Sequence, residues 1–278
     1  MQGRTDLAME AVGGRMAATE QVAGMEISEI SLNETQAASI GKRCGRYITA
    51  LMPRLTDDEH DLEDKALAIG RRLRSLLPQH GTVLVVGLGN EAITPDALGP
   101  RTSSMVLATR HIQGEFARSV GLSDLRPTVV LRTGVLGNTG MESSEIVCGV
   151  CRQVSPCAVI AIDALAARSM ERLGCTVQLS DTGIAPGSGV GNDRKALDRD
   201  TLGVPVIGLG VPTVVDAQTL ACEWFGAEHT AVRREPAMMV TPREIDLMIA
   251  RASRLLAMTV HAALQPSYSP LELLSIAL

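Results

Sequence analysis

Four apolar residues in a row, Val83-Leu84-Val85-Val86, three of them β-branched, run straight into Gly87-Leu88-Gly89-Asn90. A run without polar alternation fits a strand buried on both faces, and the glycines permit a tight turn where it ends. That combination belongs to parallel sheets covered by helices. In open sheets of this kind, ligands and reacting groups gather outside the carboxyl ends of the strands. Asp96 lies in the loop leaving this end. Pro95 and Pro100 bracket it, removing two backbone donors and stiffening the loop that presents the carboxylate.

A second stretch repeats the design. Ala158-Val159-Ile160-Ala161-Ile162 is apolar throughout, Asp163 stands at its carboxyl end, and residues 164–169 read as the start of a helix. If the two strands are sheet neighbours, their spacing of roughly 4.8 Å sets both carboxyls on one rim, within reach of a shared water. Like charges that close cannot both ionise freely, so one pKa rises and an acid stands beside a base. This is the minimal kit for adding water to an amide.

Further strands at 128–132, 175–179 and 204–209 alternate with helices at 99–113 and 141–154. The rhythm predicts an α/β fold with a doubly wound, mostly parallel sheet flanked by helices. Ahead of it, strand-like segments at 26–32 and 44–52, joined by a short helix capped by Asn33, form a small N-terminal β/α extension. Thr56-Asp57-Asp58-Glu59 opens a long helix that closes in Arg71, Arg72 and Arg74, acid first and base last, as the helix dipole favours. A long amphipathic helix is expected at 239–263 with Pro242 in its first turn, followed by an apolar tail at 267–278. The glycine-rich segment 182–192 reads as a shaped loop, substrate-lining or structural; it lacks the Gly-Lys-Ser/Thr ending of a phosphate-binding loop.

Composition narrows the function classes. Aromatic residues make up 2% of the chain and the formal net charge is -5, which supplies neither stacking platforms nor a basic footprint for nucleic acid. No apolar run has the length of a membrane span and the first residues carry no hydrophobic signal core, so a cytoplasmic protein is expected. The six cysteines read as reduced thiols, and Cys148-x-x-Cys151 has no second pair or nearby histidine, so neither metal nor cofactor is expected. Asp181 and Asp216, also near strand ends, fit a structural hydrogen bond as well as a catalytic role. A rival reading takes Gly87-x-Gly89-x-x-Ala92 as a dinucleotide-binding turn; Pro95 and Pro100 interrupt its helix, and the next strand ends in Arg132-Thr133-Gly134 where an acidic ribose ligand belongs. A third makes the chain a noncatalytic scaffold whose aspartates only cap turns.

Taken together, Gly87-Leu88-Gly89-Asn90, Thr94-Pro95-Asp96-Ala97-Leu98-Gly99-Pro100, Ile160-Ala161-Ile162-Asp163-Ala164-Leu165, Ser180-Asp181-Thr182-Gly183-Ile184 and Gly210-Val211-Pro212-Thr213-Val214-Val215-Asp216-Ala217 resemble the germination protease family. The resemblance implies an atypical aspartic endopeptidase, related in fold to hydrogenase maturation endopeptidases, that degrades small acid-soluble spore proteins during germination. It implies a self-processing zymogen, a homotetramer and a place in the forespore or spore-core cytoplasm, with no nucleic acid or membrane partner. Carried over by position, Asp96 and Asp163 are the implied catalytic pair. Arg4-Thr5-Asp6-Leu7-Ala8 resembles the family's self-cleavage site, which implies a cut between Asp6 and Leu7, a short prosegment at 1–6 and a single peptidase domain at 7–278. Family substrates carry an acidic residue before the cut, so Arg168, Arg172, Arg194 and Lys195 are candidates to pair with it.

Overall fold

The computed structural model describes residues 5–12, 18–57, 61–112, 114–119, 121–122, 124–187, 194–225 and 238–278. In the first half the chain forms α1 (Ala8–Val12), β1 (Ala18–Val22), β2 (Met25–Leu32), α2 (Glu34–Ser39), β3 (Gly45–Leu51), α3 (Leu62–Ser75), β4 (Val83–Leu88), α4 (Leu98–Ser104), α5 (Gly114–Ser119) and β5 (Thr128–Gly134). It continues through α6 (Leu136–Thr139), α7 (Ser143–Val154), β6 (Ala158–Ala167), β7 (Thr176–Ser180), α8 (Arg199–Leu202), β8 (Val206–Asp216), α9 (Ala217–Phe225), β9 (Met239–Val240), α10 (Ile245–Leu264) and α11 (Pro270–Ala277). One sheet holds all these strands in the order β1-β2-β3-β7-β8-β6-β4-β5, with β9 on the far end of β8.

The four strands β8, β6, β4 and β5 run parallel and make the heart of the sheet. Both faces of that heart are covered, which is what their unbroken apolar runs require. Val83, Val85, Ile160 and Ile162 point to one side and pack with Ile69 and Leu73 of α3 and with Ile249, Leu255 and Leu256 of α10. Their alternates Leu84, Val86, Val159 and Ala161 point to the other and meet Val147 and Cys151 of α7. The period-two alternation of a strand thus divides one apolar run between two cores. The N-terminal extension joins the same sheet through antiparallel pairing of β1, β2 and β3, ending against β7.

Several boundaries differ from the sequence reading. β7 is antiparallel to β8, because only a short turn with a 3-10 segment at Met170–Arg172 links it to β6 and a parallel return needs a longer crossover. Residues 164–167 stay extended instead of turning helical, since β6 continues its pairing with β8 up to Ala167 and Val215. β8 runs on in the same way to Asp216. The helix expected over 99–113 ends at Ser104: beyond it the N–H of Leu107 donates to His261 Nε2, and those of Thr109 and Arg110 to the Thr128 carbonyl. α3 begins at Leu62 after Asp61 in a left-handed conformation: of the expected start, Thr56 and Asp57 lie in a turn, and Asp58 and Glu59 lie outside the described residues. α10 begins at Ile245, because Met239–Val240 pairs with β8 and Pro242 precedes the helix. By length and composition α10 could cross a membrane, contrary to the sequence reading, yet 78% of its apolar window is buried in the fold.

His261 of α10 is 2% exposed, its Nε2 accepting the Leu107 N–H at 3.0 Å. Its Nδ1 is buried without a partner at hydrogen-bonding distance, the Pro270 carbonyl being a weak counterweight, and burial pushes the pKa from 6.5 down to about 4. The unfolded chain therefore takes up the proton first as pH falls. Stability tied to this group is intact above about pH 6.5 and drains away towards pH 4, by about 3 kcal/mol in all. Thermal melts of wild type and His261→Gln at pH 7 and pH 4.5 should show the variant losing less stability on acidification. An identical pH slope in both would refute it.

Candidate active site

β4 and β6 are direct parallel neighbours with Gly87 opposite Ile162, so the chain leaves β4 for the Asp96 loop beside the point where β6 presents Asp163. Both aspartates line one cleft of about 310 Å³, together with Asp6, Arg194, Pro95 and Thr213. This is the arrangement that two apolar runs ending in aspartates foretold, with Asp163 within its strand rather than at its end.

Asp96 closes a 3-10 turn, Thr94–Asp96, whose Pro95 sits in the first positions of the turn. Gly89 has φ +111°, and a Cβ there would strike the Asp96 carbonyl, so only glycine lets the strand end pass this close. The Asn90 N–H donates to Asp96 Oδ2 at 2.8 Å, and Thr213 Oγ1 of β8 donates to the Pro95 carbonyl at 2.8 Å. Gly99, at the start of α4, lies against the carbonyls of Leu88 and Ile162, where a Cβ would overlap both. The helix after Asp96 is thereby pressed onto the ends of both aspartate strands. Asp163 is 5% exposed, and its Oδ1 accepts the Ala164 N–H at 2.9 Å.

The two carboxyls differ in environment. Burial, with Asp96 and Asp6 adding negative charge, lifts Asp163 well above the ordinary carboxylate range, against the pull of the Ala164 N–H and Arg194. Half-buried Asp96 is also raised by burial, but the Asn90 N–H and the Arg194 guanidinium oppose the rise. Burial raises both carboxyls, and raises the more deeply buried Asp163 further.

Other sequence candidates fall elsewhere. Asp181 Oδ1 accepts the Arg46 N–H and so ties β7 to β3, and Asp216 Oδ1 accepts the Thr219 N–H at the start of α9. Of the four basic residues proposed to pair with an acidic side chain, Arg194 lines the cleft and faces both aspartates, Lys195 is exposed, and Arg168 and Arg172 are not in its wall. Cys148 and Cys151 lie on α7, and no group of three His, Cys, Asp or Glu able to hold a metal occurs among the described residues. Residues 188–192 of the glycine-rich loop lie outside the described residues, whereas Pro186 and Gly187 line the cleft.

Sequence reasoning missed Lys42 and Gln178. Lys42 Nζ donates to the Thr5 carbonyl at 2.8 Å and lies near the Asp6 and Glu10 carboxylates. Gln178 bonds to residues 6 and 8. The only sequence signal was a glutamine in the middle of the apolar strand Thr176-Val177-Gln178-Leu179-Ser180. Asp6 itself donates its N–H to the Ala166 carbonyl at 2.8 Å and accepts the Ala166 N–H on Oδ2 at 2.8 Å, while Leu7 is buried beside Leu165, Val215 and Leu220.

Comparison with known proteins adds a family to this geometry. The family model described as germination protease matches residues 2–225. The germination protease of Caldanaerobacter subterraneus subsp. tengcongensis is 38% identical, with 97% of this chain and 96% of that protein covered. That of Clostridium acetobutylicum is 36% identical over 95% of each, and that of Priestia megaterium 41% identical over 79% of this chain and 65% of its own length. Among solved structures, the nickel-iron hydrogenase maturation protease HycI of Thermococcus kodakarensis KOD1 matches at 16% identity and a TM-score of 0.39, covering 68% of this chain and 98% of that one.

The raised pKa of Asp163 has a consequence for stability. An unfolded aspartate ionises at about pH 4, whereas the folded one holds its proton, so the fold loses stability as pH rises through that value towards the raised pKa. Asp163→Asn removes the cost of keeping the proton. Its melting temperature should exceed that of wild type at pH 7, with the margin shrinking near pH 4. An unchanged margin at the two pH values would contradict this assignment.

Proposed function

Since the chain belongs to the germination protease family, its activity is that of a spore-germination endopeptidase, and we propose that Asp96 and Asp163 perform the hydrolysis. The observation that carries this reading is the meeting of two carboxyls with divergent environments in one cleft, at the ends of paired parallel strands. Asp96, as carboxylate, takes a proton from a water whose oxygen adds to the scissile carbonyl carbon. Asp163 gives its proton to the carbonyl oxygen. When the tetrahedral intermediate collapses, one of its hydroxyls returns a proton to Asp163, the C–N bond breaks, and the proton held by Asp96 passes to the departing amine. The pair is restored, and one water has become a new carboxyl and a new amine.

In the same reading the enzyme is an aspartic peptidase made as a zymogen that cuts its own Asp6–Leu7 bond. Residues 1–6 are the prosegment, 7–278 the peptidase domain, and small acid-soluble spore proteins the substrates in the cytoplasm of the spore core. A homotetramer is the proposed assembly. Support for self-cleavage comes from Asp6, which lines the cleft with both aspartates while Leu7 fills an apolar pocket beside it. The dinucleotide reading fares worse: the turn after β4 already gives the Asn90 N–H to Asp96, a carboxylate where a pyrophosphate would need amides and positive potential.

Asp96→Asn and Asp163→Asn keep the side-chain shape and should each lower turnover of a small acid-soluble spore protein by about 10³-fold, with far-ultraviolet circular dichroism unchanged. Intact mass after incubation at mildly acidic pH should show loss of residues 1–6 from wild type and not from either variant. Unchanged cleavage by both variants would remove the aspartates from the mechanism.

A further inference from the structure

Gln178 projects from β7 on the face opposite Val177 and Leu179, which point into the main core. Its side chain is 7% exposed, a burial that an amide tolerates only when its donor and acceptor are engaged. Both are engaged by the same short stretch of chain. Nε2 donates to the Asp6 carbonyl at 3.0 Å, and Oε1 accepts the Ala8 N–H at 2.7 Å. The two bonds straddle the Asp6–Leu7 peptide bond, one on the carbonyl before it and one on the second N–H after it. Around this pair the Asp6 N–H meets the Ala166 carbonyl, the Leu7 N–H donates to Thr5 Oγ1 at 3.0 Å, and Lys42 Nζ holds the Thr5 carbonyl.

Beside Gln178 the sheet surface opens into a second cavity. Gly208 and Gly210 of the adjoining β8 line this space of about 180 Å³ with Gln178, Ser180, Asp163 and Asp6. Asp163 and Asp6 are shared by this cavity and the cleft that holds Asp96, so the peptide bond spanned by Gln178 lies where the two spaces join.

We propose that Gln178 is the residue that holds the peptide bond to be cut, donating to the carbonyl that water attacks and accepting from the N–H of the second residue after the cut, in the chain's own N-terminus and in protein substrates alike. The proposal rests on reading Asp6–Leu7 as a bond this enzyme cleaves. Donation to the carbonyl oxygen from a fixed, buried amide favours charge developing there, so it lowers the barrier as well as binding the ground state. Acceptance from the later N–H fixes the register of the chain and contributes binding. Side chains of the substrate play no part in either bond, which lets one residue serve many sequences.

The test uses the full-length chain after incubation, with two synthetic peptides of the sequence Arg-Thr-Asp-Leu-Ala-Met. One is all amide; in the other an ester oxygen replaces the N–H of the alanine. Wild type should cut the ester peptide between aspartate and leucine with about tenfold lower kcat/KM than the amide peptide. Gln178→Leu, checked for an unaltered circular dichroism spectrum, should cut both slowly and equally. Gln178→Glu keeps the acceptor and loses the donor, so it should retain the ester penalty while kcat falls. Persistence of the full ester penalty in Gln178→Leu, or failure of wild type to cut the amide peptide, overturns the proposal. Cleavage by Asp96→Asn or Asp163→Asn in the same assay would instead fault the aspartate mechanism, leaving the comparison at Gln178 to stand or fall by itself.

Discussion

The register between β4 and β6 is the constraint on which the site depends. With Gly87 opposite Ile162, the two strand ends arrive together, and a shift by one residue would turn Asp163 to the other face of the sheet. Burial enforces the register. Each strand divides its side chains between two separate cores, so slippage would exchange the contents of both. The absence of side chains enforces it again: α4 can lie against the carbonyls of Leu88 and Ile162 only because position 99 is glycine. Apolar burial thus sets the geometry of two of the most polar groups in the protein.

That geometry works against the fold's own stability. A carboxyl 5% exposed, beside two others and with one backbone N–H for support, is among the least comfortable groups in the molecule. The tension is relieved unequally, since Asp96 has the Asn90 N–H and greater exposure while both share Arg194. Unequal relief is what separates an acid from a base in a pair of identical residues. The surrounding sheet, with its aliphatic strands and the long buried helix α10, supplies the rigidity that keeps the carboxyls from moving apart.

Features encoded in short runs of sequence were legible. The apolar runs announced β4 and β6, the glycines and prolines announced the shape of the Asp96 loop, and Asn33 marked the start of α2 with a capping box. What escaped depends on residues far apart. The strand at 164–167 is held extended by β8 and by Asp6, against a local alanine-rich preference for helix. α4 stops where His261, more than a hundred and fifty residues on, captures the next available N–H. Lys42 and Gln178 were unreadable for the same reason. Nothing next to them in sequence refers to the N-terminal segment they grip.

Leu7 is 1% exposed and packed among aliphatic side chains. Were the bond before it hydrolysed, the leucine nitrogen would become an ammonium ion at the rim of an oily socket, and the aspartate ahead of it would gain a second negative charge next to a proton-hungry pair. The ammonium would find carboxylates facing it, whereas the new carboxylate would be repelled by them. Repulsion of the new carboxylate, created by the reaction itself, would drive the released segment out and leave its place in the groove open for another chain.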